Sequence, residues 1–85
     1  MISYGPLREL LGREKPNGLN MKRLIEHKII TPNISVTLNN DTGNVSLSTI
    51  DKIANYLSRE LGRAIKIEEI VEIIPDETIE TNSMR

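Results

Sequence analysis

Apolar residues return every three or four positions through most of this chain, and each such run is closed by residues that stop helices. Tyr4, Leu7, Leu10 and Leu11 set the first run, with Pro6 near its start, where a missing N–H costs nothing. It predicts a helix of two to three turns ending between Gly12 and Glu14, before the turn Lys15-Pro16-Asn17-Gly18. Met21, Leu24 and Ile25 place a second, shorter helix behind a cap at Asn20. A third follows almost at once. Thr31 caps it, Pro32 takes its first position, and Ile30, Ile34 and Leu38 recur every fourth residue. Two short helices set back to back around His27-Lys28-Ile29 suggest a helix-turn-helix, and they bury too little to stand without the rest of the chain.

The run NNDTGN, Asn39 to Asn44, reads as a loop, because Asn, Asp and Gly tolerate left-handed backbone. Beyond it lies the strongest periodicity in the chain. Leu47, Ile50, Ile53, Ala54, Leu57 and Leu61 form one stripe of a fourth helix, with Ser46 as its cap, Ser48 and Asp51 as a competing capping box, and Gly62 at its far end. Residues 64–67 could satisfy a short strand or a helix. Ile67, Ile70, Val71 and Ile74 fit a helical stripe, which predicts a short fifth helix stopping before Pro75. The expected organisation is one all-helical domain over residues 1–77 and a loosely held tail over 78–85, where Ile79 and Met84 are the only residues to bury.

Eighty-five residues suffice for one thin core. No cysteine is present to reinforce it, which fits a reducing compartment. No apolar run is long enough to cross a bilayer and no basic-then-apolar leader opens the chain, so a soluble, cytoplasmic protein is expected. The net charge of −1 hides a division. From Met1 to Lys66 ten Lys and Arg face six acids, whereas from Ile67 to Arg85 one Arg faces six. A basic body with an acidic end can offer a positive face to phosphates; ordinary solvated surface is the plain alternative.

The order of these elements, with the runs NMKRLIE, IITPNI and NVSLSTIDKIANYL and the ending IEEIVEIIPDE, resembles the phage-repressor-like (Cro-type, XRE-like) helix-turn-helix regulators. The resemblance extends to Glu77 and implies a compact five-helix, lambda-repressor-like domain that binds duplex DNA, frequently as a dimer. Several residues depart from that pattern. The turn at His27-Lys28-Ile29 lacks the usual glycine, Met21 and Pro32 stand where Gln is common, and Ser35 occupies a position that is usually apolar while Ile34 falls where a polar residue is expected.

In such a domain the third helix enters the major groove and the second crosses the backbone. Thr31, Asn33, Ile34, Val36 and Thr37 are then the base-reading candidates. Asn33 can both donate to and accept from adenine, and Ile34 or Val36 can pack on a thymine methyl. The plain alternative is that Thr31 and Asn33 merely cap the helix, a reading that suits Thr31 better than base contact and Asn33 equally well. Lys22, Arg23 and Lys28, with Asn39, Asn40 and Thr42, are phosphate candidates, which position the protein without reading sequence. Ile70, Ile73 and Ile74 exceed the needs of one buried stripe and are candidates for a homodimer contact. The competing expectation is a protein-interaction module or antitoxin-like partner that keeps the fold without strong DNA binding.

An enzyme is not expected. His27 is the only histidine, no thiolate or second imidazole could share a metal with it, and the scattered glycines build no phosphate loop. With Tyr4 and Tyr56 as the only aromatics there is no stacking platform for single strands. No cofactor, metal or small-molecule substrate is called for.

Overall fold

The computed structural model describes residues 1–75, so the expected tail over 78–85 lies outside the described residues. Four α-helices make up just over half of the described residues: α1 (Gly5–Arg13), α2 (Met21–Glu26), α3 (Pro32–Asn40) and α4 (Leu47–Leu61). A 3-10 turn at Lys15–Asn17 joins the first two, and residues 27–31 join the second and third. The caps are those the sequence names. The Asn20 side chain accepts from the Arg23 N–H, Thr31 from Ile34 and Ser46 from Thr49, each satisfying an amide with no partner in its own helix. At the other end of α4, Gly62 takes the left-handed conformation at φ 68°, which a side chain would resist.

The predicted fifth helix is not there. After α4 the chain makes a 3-10 turn at Ile67–Glu69 and then a two-residue strand, β2 (Glu72–Ile73), antiparallel to β1 (Ile2–Ser3) with Ile2 opposite Ile73 and Ser3 opposite Glu72. Residues 64–66 are neither helix nor strand. Hydrogen bonding explains the change. The Ile70 carbonyl, which a helix would use internally, accepts from the Leu7 N–H in the first turn of α1, and Met1 and Ile74 exchange both of their backbone bonds. The β-branched residues Val71, Ile73 and Ile74 suit this extended path. The fold is therefore mostly helical, closed by a small two-stranded ribbon.

Leu7, Leu10, Leu24, Leu38, Ile53, Leu57 and Ile70 are all but sealed from water, each 1% exposed or less, and Tyr4 and Leu19 complete the centre of one core. Every helix sends at least one residue into it. Leu47 does not join: although it falls on the stripe of α4, it is 74% exposed. Among the described residues no helix is long and apolar enough to cross a membrane.

Candidate nucleic-acid interface

The third helix has two unlike sides because its apolar residues are four apart. Leu38 is fully buried and Ile34 packs half-buried against the same core, which fixes how the helix is rotated. Pro32, Asn33, Val36, Asn39 and Asn40 are left facing outward, with Val36 53% exposed. That surface carries no charge of either sign.

The base-reading candidates divide accordingly. Asn33 is exposed, and among the described residues its side chain makes no hydrogen bond, so its amide is available. Val36 is also available. Thr31 is exposed, but its hydroxyl accepts from the Ile34 N–H at 3.2 Å and works as the cap. Thr37 is half-buried and its hydroxyl donates to the Asn33 carbonyl at 3.5 Å. Ile34 turns toward the inner side, as its spacing with Leu38 requires, and is half-buried against the core, with part of its side chain in the hollow at the start of the helix. Ser35 spends its hydroxyl on the Pro32 carbonyl at 2.8 Å.

Cations lie at both ends of this helix. At its start Lys28 and Lys52 share a hollow of about 430 Å³ with Thr31 and Pro32, floored by Ile25, Ile29, Ile30 and Ile34. Toward its end Lys15 and Arg8 share a hollow of about 250 Å³ with Asn20, Met21 and Asn39. Lys22, on α2, is exposed. Lys28 sits at φ 61°, left-handed backbone in the turn where the sequence lacks a glycine, and its N–H donates to the Ile25 carbonyl at 2.9 Å. The helix is about 13 Å long at 1.5 Å per residue, close to the ~12 Å width of a B-DNA major groove.

Arg23 leaves the phosphate set. Its Nε donates to the Tyr56 hydroxyl at 3.0 Å and its Nη2 pairs with Glu60 at 2.9 Å, tying α2 to α4. The His27 ring lies tilted beside the Tyr56 ring of this brace, their centroids 5.4 Å apart. Asn39, Asn40 and Thr42 are exposed, although the Asn40 amide donates to the Val36 carbonyl at 3.0 Å.

A second brace, which the sequence does not announce, holds the far end of α3. Asp41 caps that helix in left-handed backbone at φ 55° and accepts from both terminal nitrogens of Arg8, at 2.9 and 3.1 Å. It also accepts from the Tyr4 N–H at 2.7 Å and the Ser3 hydroxyl at 3.3 Å. Arg8 further donates to the Leu38 carbonyl, one of the last of α3. Chiefly through Arg8, and then through the Tyr4 amide, the Asp41 carboxyl is pulled down to about 2 from an ordinary 3.8. Arg8 is thus spent internally. Tyr4 adds a tie to the following loop, its hydroxyl accepting from the Val45 N–H at 2.8 Å.

The dimer candidates are also redistributed. Ile70 is fully buried and cannot meet a partner, because its side chain fills the core beneath α1. Ile73 and Ile74 are exposed on and beside β2. Lys52 is the residue the pattern missed, since only the docking of α4 decides which of its outward positions lie beside α3. Among the described residues no group of three His, Asp or Glu side chains could hold a metal. Comparison with protein-family models, curated proteins and solved structures returned no match to this chain.

Proposed function

We propose that this protein binds double-stranded DNA as a small transcriptional regulator, a repressor in the simplest case, with α3 in the major groove. One observation carries the reading: a short helix, braced from behind, that turns an uncharged hydrogen-bonding face outward with lysines at both of its ends. Asn33 is the base-reading residue, assisted by the Val36 methyls. Lys28 and Lys52 at one end and Lys15 at the other meet phosphates on the two sides of the groove, with Lys22 adding to the field. The resemblance to Cro-type regulators supports the same assignment, with the ribbon replacing the fifth helix of that pattern.

Phosphate contact has a signature that is independent of knowing the operator. Each neutralised phosphate adds about −0.9 to the slope of log K against log salt. Three or four lysines predict a slope of roughly −3 to −4 on a random duplex. Fluorescence anisotropy with labelled DNA across a potassium chloride series measures it. Lys28→Ala should flatten the slope by about one, whereas Asn33→Ala should leave it unchanged. Absence of binding at low salt, or binding insensitive to salt, would refute the proposal.

The second reading, an interaction module or antitoxin-like partner, is favoured by the exposed Leu47, Ile67 and Ile73. It predicts no salt-dependent binding to duplex.

A further inference from the structure

Gly12 stands in the last turn of α1 with none of the usual reasons for a glycine in a helix. Its backbone is ordinary helix, the left-handed glycines among the described residues being Gly18 and Gly62, and the cap of α1 falls on Glu14. Nothing presses on it either, since a Cβ at this position would meet no atom beyond its own turn within 4 Å. Glycine here therefore gives up helix-forming tendency that alanine or leucine would supply. What the missing side chain does is hold open the hollow of about 250 Å³ that Gly12 lines beside the start of α2 and the end of α3.

Wall and rim of this hollow differ in chemistry. Leu11, Leu19 and Met21 make the wall apolar, and Met21 is only half-covered by the rest of the fold. The polar residues around it are Arg8, Lys15, Asn20 and Asn39, with no acid among them. Arg8 is matched by Asp41 and adds no net charge, whereas Lys15 is exposed and has no ion-pair partner among the described residues. The Asn20 Oδ1 serves the Arg23 N–H, which leaves its amide N–H groups to donate, and the Asn39 side chain makes no hydrogen bond among the described residues.

We infer that this hollow binds a small monocarboxylate with an apolar body, the body laid against Leu11, Leu19 and Met21 in the gap at Gly12 and the carboxylate beside Lys15 and the two asparagine amides. One uncompensated ammonium calls for one negative charge. Volume limits the body: at ~30 Å³ for each water in the liquid, the hollow equals roughly eight waters, room for a chain or ring of about seven or eight carbons. So few atoms give a dissociation constant on the order of 0.1–1 mM. Occupation of the hollow does not require α3 to meet DNA.

Octanoate serves as the probe, titrated into the full chain at low salt without DNA and followed by amide chemical shifts. Saturable shifts should centre on Gly12, Lys15, Leu19, Met21 and Asn39, with half-saturation at about 0.1–1 mM. Octan-1-ol, which has the same body without the charge, should bind about threefold to fivefold more weakly, and Lys15→Gln should bring octanoate down to the same level while leaving octanol unchanged. Gly12→Leu should fill the hollow, weakening octanoate at least about tenfold, yet melt roughly 3–6 °C above the native chain, so lost folding cannot account for lost binding. Shifts that fail to saturate or centre elsewhere, octanol binding as tightly as octanoate, Lys15→Gln binding octanoate as the native chain does, or a Gly12→Leu chain that still binds or melts lower than the native one would each overturn the assignment.

Discussion

Asp41 joins three segments through one carboxylate, taking hydrogen bonds from β1, the start of α1 and the Arg8 guanidinium while ending α3. Its depressed titration gives the linkage a definite sign. A group near 2 in the folded chain and near 3.8 unfolded contributes stability that is complete above about pH 4 and lost as pH falls through about 2. Asp41→Asn keeps a residue that tolerates left-handed backbone but removes the charge. Urea midpoints followed by circular dichroism should place Asp41→Asn below the native chain at pH 6, and the gap should close between about pH 4 and 2. A gap independent of pH would show that the carboxylate is not the brace described. The sequence shows Asp41 only as a member of a polar loop. Its partner Arg8 lies in another helix, and no local pattern reports that the two helix ends meet.

At the level of elements, what could be read in advance was whatever neighbours in sequence decide. Asn20, Thr31, Ser46 and Gly62 act within a turn of their own positions, so four helices and their ends were legible. The ribbon was not, because two residues carry no period and β1 finds its partner at the opposite end of the chain. The spacing of Ile67, Ile70, Val71 and Ile74 suits a helix as well as the observed path, and the hydrogen bonds to Met1 and Leu7 decided between them. Leu47 shows a further limit: periodicity fixes the side of a helix but not where the core ends along it. The turn between α2 and α3 gives a prediction of its own. Left-handed backbone costs a residue with a side chain about 1–2 kcal/mol, and glycine gives back roughly half of that in unfolded-state freedom. Lys28→Gly should therefore stabilise the fold by about 0.5–1 kcal/mol while removing one phosphate contact from the DNA slope. Thermal melts and anisotropy on the same variant check both; a destabilised variant would mean that the lysine stem contributes packing that outweighs the backbone strain.

For the whole molecule, the division of charge acquires a place. Lys15, Lys28 and Lys52 border the outward face of α3, whereas Glu68 and Glu72 belong to the turn and ribbon that follow α4. Arg8 and Arg23 are taken up in holding α3 and α2 against the core, so lysines carry the field. The central claim is that the outward face of α3 meets duplex DNA, and amide chemical-shift mapping examines that most directly. At low salt, with a short duplex added, the amides of Lys28, Asn33, Val36, Asn40 and Lys52 should move most, and those of Leu47, Ile67 and Ile73 least. Shifts centred on the ribbon or on the exposed start of α4, with α3 silent, would contradict the account.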